Sequence, residues 1–185
     1  MRKMRGVAVI LGSESDLVQC GPGLRLLGEA VDSGEIHLVG DEIVISSIHR
    51  DHDETIEYLK YLHDYWTYNV DVLIAGAGWA NALTGICDSY FRYSLRSEKI
   101  CVVGVAFEDK TNPENTRAAF VSMARVPSTQ VIYSDDRGGF VGPYGFTRAC
   151  QYAIRGGLPE LTIPEPRPRK SFSLDEAIAT AEKSD

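Results

Sequence analysis

The chain has 185 residues, enough for one domain with a full core, and 44% of them are apolar, which excludes a disordered polar chain. Its 19 basic and 26 acidic residues leave a formal charge of −7, so no broad basic footprint exists for nucleic acid or an anionic membrane, although a local cluster can still hold a small anion. The start, MRKMRGVAVILGSESD, returns to polar residues too soon for a signal peptide or a membrane span, so a soluble protein in the cytoplasm is expected.

In chain order, Val7–Leu11 reads as a first strand, rich in Val and Ile and nearly continuous in apolarity. The stretch after Asp16 is helical in character, but Gly21-Pro22-Gly23 should break or restart it. Ile43–Ser46 is the second strand, followed by a helix over Asp53–Tyr65 whose Ile56, Leu59, Tyr61, Leu62 and Tyr65, at mixed three- and four-residue spacings, make one face apolar. Val70–Ala75, Ile100–Val105 and Gln130–Tyr133 are the third to fifth strands. Helices are expected between and after them at Ala80–Tyr93, Glu114–Arg125 and Phe146–Arg155, the last ended by Gly156-Gly157. Strands apolar along their whole length are covered on both faces, so the alternation predicts an α/β domain: a doubly wound, parallel, three-layer sheet of about five strands.

Residues 1–160 form this domain in our reading, and 161–185 a separate tail. Leu161–Lys170 (LTIPEPRPRK) is an extended arm, and Ser173 with Glu176 forms a capping box that opens a short helix to Lys183. Such a helix cannot bury its own apolar face, so it should dock on the body or on a neighbouring subunit. Cys20, Cys87, Cys101 and Cys150 are far apart, with no CxxC pair, and read as reduced thiols, three of them in apolar core segments.

Three strand ends carry chemistry. In a doubly wound sheet, ligands bind outside the carboxyl ends of the strands. Gly12-Ser13-Glu14-Ser15-Asp16 offers glycine, hydroxyls and a carboxylate; it either receives an anion and sugar hydroxyls or merely caps the next helix. No GxGxxG and no Walker lysine is present. Ser47-Ile48-His49-Arg50 puts a side chain that titrates near neutrality beside a guanidinium suited to phosphate. The plain alternative is a surface loop leading into the helix. His49 and His52 with Asp51 and Asp53 evoke a metal site, but no distant third ligand fits, and acidic residues favour a helix start anyway. No metal is therefore expected, His52 should be solvated, and His37 and His63 structural or exposed. Ala75–Gly85 (AGAGWANALTG) lets a ligand lie on bare backbone, with Asn81 as donor and acceptor; a tight packing turn is the alternative. Trp79 is unusual there, either a lid over a planar ring or simply buried.

Together, GSESD, SIHR and the AGAG loop, in this order over roughly residues 5–155, resemble the PurE family of purine biosynthesis. The resemblance implies a flavodoxin-like strand order and an enzyme that forms 4-carboxyaminoimidazole ribonucleotide. Ala80-Asn81-Ala82-Leu83-Thr84-Gly85 and the Arg125-Val126-Pro127 element look like the branch that carboxylates aminoimidazole ribonucleotide directly with CO2. Arg50 looks more like the branch that rearranges N5-carboxyaminoimidazole ribonucleotide. That mutase is the alternative, and a family member with a changed substrate or a purely ligand-binding role is a further one. Trp79, the long spacer between Asp16 and Ser47, and the Phe107–Arg117 and Ser134–Phe140 segments depart from the family pattern.

By this resemblance Ser15, Ser47 and Arg50 hold the phosphate, Asp16 takes the ribose hydroxyls and CO2 lies against Gly76–Gly78. His49 is the catalytic acid/base at ring carbon 4, and Asn81 steadies the carboxylate. Ser13, Ala75, Ala77 and Leu83 complete the expected substrate-binding set. The resemblance implies no cofactor, whether metal, biotin or ATP. It implies no nucleic-acid or membrane partner, and a homo-oligomer, an octamer, whose terminal helix crosses to a neighbour.

Overall fold

The computed structural model describes residues 4–64 and 69–182. Strand β1 (Arg5–Leu11) lies in the middle of a parallel sheet. On one side it pairs with two short strands, β2 (Ile36–Leu38) along its first half and β3 (Val44–Ile45) at its end. On its other side runs β4 (Val70–Ala77), which pairs in turn with β5 (Cys101–Ala106). The backbone at Ile132 bridges to Val103 beyond β5, its N–H donating to the Val102 carbonyl and its carbonyl accepting from Gly104. The observed order is therefore the flavodoxin-like one, with five parallel places.

Two strands differ from the sequence reading. The second is split, because the chain turns at Val39–Asp41 with positive φ at Gly40 (73°) and Asp41 (52°). The expected Gln130–Tyr133 strand is reduced to a bridge. Just beyond it lies an unexpected two-stranded hairpin, β6 (Ser134–Asp135) with β7 (Gly138–Gly139). Buried Arg148 holds this hairpin through Asp135 and the carbonyls of Gly138 and Gly139, and the guanidinium also lies over the Phe140 ring.

Helices cover both faces, which is why the strands are apolar throughout. Val7, Val9 and Leu11 pack with Leu27 and Ala30 of α1 (Gly21–Asp32) and with Phe146, Ala149 and Ala153 of α5 (Gly142–Arg155). The alternate residues Ala8 and Ile10 face α2 (His52–Asp64), α3 (Ala82–Ser89) and α4 (Pro113–Ala124), through Leu59, Leu62, Leu83, Cys87, Ala119 and Met123. Pro22 sits in the first turn of α1 and so restarts a helix after the short 3-10 segment Glu14–Gln19. The expected α2 end at Tyr65 lies outside the described residues. The expected Ala80–Tyr93 helix is shorter: α3 widens after Ser89 into a π turn over Tyr90–Ser94, which tucks Arg92 inside.

All four cysteines are buried and free. The arm is tied to the body where it leaves it: Gln130 and Thr162 exchange hydrogen bonds, and Arg96 donates to the Pro164 carbonyl at 2.6 Å. From residue 165 onward every described residue is exposed. Helix α6 (Leu174–Ala181) has the expected capping box between Ser173 and Glu176, yet buries none of its residues against its own chain. Lys183, its expected end, lies outside the described residues. No helix among the described residues is long and apolar enough to cross a membrane.

Candidate functional site

The end of β1 brings the three motifs together. Leu11 pairs with Ile45 of β3 on one side and with Gly76 of β4 on the other. One step further, the Leu11 carbonyl accepts from Ser46 N at 2.9 Å, and Gly12 N donates to the Gly76 carbonyl at 2.8 Å. Gly12, Ser46–Ser47 and Ala77–Gly78 thus emerge side by side at the carboxyl edge of the sheet, where a doubly wound fold binds its ligands. Packing is close enough that a Cβ on Gly12 would lie 2.9 Å from that of Ala77.

In the first loop, Ser13 is the cap. Its Oγ accepts from Ser15 N and lies 2.9 Å from the Ser15 hydroxyl. Ser15 remains exposed. Asp16 is only 9% exposed, and its Oδ1 is 3.7 Å from where a Gly78 Cβ would stand. Burial raises its pKa to about 6, against a smaller opposing effect of hydrogen bonding to the Ser13 backbone.

The second loop is a tight turn whose Ser47 carbonyl accepts from Arg50 N and Asp51 N. Two features fix it: the Asp51 carboxylate accepts from Ser47 N at 3.2 Å, and the buried Ser46 and Thr55 hydroxyls meet at 2.6 Å. His49 and Arg50 are exposed, and neither side chain makes a hydrogen bond or ion pair among the described residues. His52 is exposed at the start of α2, and His63 lies 2.8 Å from Asp64. Among the described residues no three His, Cys, Asp or Glu side chains group as a metal site.

The third loop departs from expectation. Asn81 is fully buried: its Oδ1 accepts from Thr84 N (3.1 Å) and the Thr84 hydroxyl (2.8 Å), while Nδ2 donates to the Val105 carbonyl (2.9 Å). It caps α3 and ties it to β5, so the expected contact with a carboxylate is corrected to a structural role. Ala75 and Leu83, also expected to touch substrate, lie in the core. Gly76 is likewise buried, with Phe107 filling the space where its side chain would be. Ala77 and Gly78 are partly open, and Trp79 is 69% exposed, which overturns the buried alternative for it.

One contributor escaped the sequence reading. Gln19 forms a reciprocal pair with the backbone of Glu108, accepting from its N–H at 3.0 Å and donating to its carbonyl at 2.9 Å. It fastens the first loop to the one after β5. A lone glutamine in a polar stretch gives no sequence signal for this.

The raised pKa of Asp16 has a consequence for stability. Between the ordinary value, 3.8, and about 6 the folded state holds the proton more tightly than the unfolded chain, so stability falls as pH rises through that window and then levels. Asp16→Asn is expected to be more stable than wild type by up to about 2 kcal/mol at pH 8 after allowance for screening, with no gain near pH 3.5. Urea unfolding at the two pH values measures the difference; an equal gain at both would remove ionisation as its cause.

A family model described as AIR carboxylase matches residues 6–133, which contain all three loops and, apart from Arg5 at the start of β1, every strand of the parallel sheet. No curated relative matches the chain. Among solved structures, PurE of Treponema denticola aligns at 16% identity with a TM-score of 0.48, over 81% of this chain and 87% of that one. The match to the family model spans well over half of the sequence, and the chain belongs to the AIR carboxylase (PurE) family.

Proposed function

We propose that this protein carboxylates aminoimidazole ribonucleotide with CO2, reversibly, to 4-carboxyaminoimidazole ribonucleotide. Family membership supports the coarser statement, an enzyme of purine biosynthesis acting on this class of ribonucleotide. The observation that carries the reading further is the meeting of the Gly12, Ser47 and Gly78 loops around the end of β1, with the His49 and Arg50 side chains free of partners among the described residues.

In this reading Ser15, Ser47 and Arg50 hold the phosphate, and charge-assisted bonds supply orientation. Asp16 takes the ribose hydroxyls. The exocyclic amine makes ring carbon 4 an enamine-like nucleophile, so CO2 placed against the Gly76–Gly78 backbone is attacked without prior activation. Carbon 4 then carries both a proton and the new carboxylate. Neutral His49 accepts that proton, and the ring regains aromaticity. Backbone N–H groups face the carboxylate in place of Asn81, which is engaged elsewhere. Arg50 favours the second reading, the mutase, in which His49 first protonates the departing nitrogen and then deprotonates carbon 4.

An ultraviolet assay without ATP separates the two. Aminoimidazole ribonucleotide with bicarbonate should be carboxylated, and the N5-carboxylated compound should be consumed no faster than it decays. The opposite pattern establishes the mutase. Silence with every substrate removes both readings.

Residues 1–160 act as the catalytic domain and 161–185 as an assembly arm in this proposal. Phe172, Leu174 and Ile178 are exposed apolar residues on the tail, which supports a homo-oligomer in which they are covered, an octamer by family resemblance. Light scattering should report such an assembly, and deleting residues 165–185 should lower its mass toward smaller species. An intact chain that runs as a monomer contradicts the arm's role.

A further inference from the structure

Trp79 combines two unfavourable features that the fold does not need. Its backbone is left-handed, with φ 55°, a region bulky side chains avoid and glycine enters freely. The other non-glycine residues with positive φ, Asp41, Arg96 and Ser128, are all polar. Its indole is also 69% exposed and makes no hydrogen bond or ring contact among the described residues. Packing therefore gives no reason for a large aromatic here, and backbone geometry argues against one.

Its position supplies a reason. The loop is pinned on both sides of Trp79: upstream the Gly76 carbonyl accepts from Gly12 N, and downstream buried Asn81 is bonded to Val105 and Thr84. A Cβ added to Gly78, the residue just before it, would stand 3.7 Å from the Asp16 carboxylate and 3.9 Å from Phe107. A rigidly anchored turn thus carries a wide, flat, amphipathic side chain one residue beyond Gly78, at the carboxyl edge of the sheet where the three loops meet. Strained backbone held by over-determined surroundings is a feature of ligand clamps. Planar heterocycles stack on indole faces whatever their hydrogen-bonding pattern.

We propose that Trp79 is the residue that binds the ligand's ring: its indole covers the planar base of a ribonucleotide whose sugar and phosphate are held by the first two loops. The inference rests on the substrate reading above and adds a ring-binding residue to it. It implies that affinity divides into a ring-dependent part, supplied by Trp79, and a ring-independent part, supplied by Asp16, Ser47 and Arg50.

Isothermal titration of the full-length protein with aminoimidazole ribonucleotide and, separately, with ribose 5-phosphate tests it. W79A should bind the ribonucleotide about 5- to 150-fold more weakly, the range for loss of one aromatic stack. Its affinity for ribose 5-phosphate should stay within about twofold of wild type, since the lost contact is to the ring alone. W79F should recover most of the loss, and W79G, which fits the backbone without strain, should show the same loss as W79A. Thermal melts establish that each variant is folded. W79A binding the ribonucleotide as wild type does overturns the inference while leaving the substrate reading intact. Equal loss of both ligands also overturns it, because the residue would then shape the loop and not the ring site. Wild-type protein that binds neither compound overturns the substrate reading, and this inference with it.

Discussion

His49→Asn is expected to lower kcat by about 10²- to 10⁴-fold, the usual contribution of a positioned general acid or base, while KM moves by no more than a few-fold. Asparagine keeps a donor and an acceptor of similar reach but cannot take up a proton. Removing an interaction used only in the transition state lowers kcat and kcat/KM together. The fold should hardly respond: His49 is exposed, and the turn that carries it is fixed by Ser47, Asp51 and the Ser46–Thr55 hydroxyl pair, not by the imidazole. Steady-state kinetics with a parallel binding titration makes the separation. Activity within about threefold of wild type would remove His49 from proton transfer, since even a modest general base contributes more. Asp16, held beside Gly78 with its pKa raised to about 6, would then be the next group to replace.

The largest effect on stability is expected at Arg92. This guanidinium, within the π turn, is fully buried; it donates to the carbonyls of Ser97 and Ile100 and faces Asp88 at 3.4 Å, an ion pair without a formed hydrogen bond. Burial alone pushes the Asp88 carboxyl up, opposed by the Gln130 N–H and by Arg92. Arg92→Met removes the countercharge and leaves a buried carboxylate with two unmet carbonyls, which costs about 3–5 kcal/mol. That is a large share of the roughly 5–15 kcal/mol that holds a domain folded. Denaturant midpoints with unchanged slope would report it. The double variant Asp88→Asn/Arg92→Met should regain part of the loss, because an amide can still accept from Gln130 N without burying a charge. A cost below about 1 kcal/mol would show that water reaches the pair.

Much of the scaffold was legible from residue types. Continuous Val and Ile runs located β1, β4 and β5, and alternation with helical periods predicted a two-face sheet, because strands covered on both sides need no polar face. The capping box at Ser173 and the restart at Pro22 are equally legible, since both are local backbone chemistry settled within four residues. Where long-range contacts compete, the reading slipped. The second strand is split by a left-handed turn, α3 gives way to a π turn that accommodates an inward arginine, and the 134–139 hairpin exists because Arg148, in α5, fastens it.

The sequence by itself determined which chemistry sits at the strand ends: the hydroxyls and carboxylate of the first loop, the His–Arg pair of the second, the small residues of the third. Only the tertiary structure decided which of these groups remain available. It left the His49 and Arg50 side chains without partners among the described residues and buried Asp16 enough to raise its pKa. It consumed both ends of the Asn81 amide in capping α3 and bonding to Val105, and withdrew Ala75 and Leu83 into the core. The reason is that a side chain's polarity belongs to the residue, whereas its free donors and acceptors are what remains after every buried backbone group has found a partner.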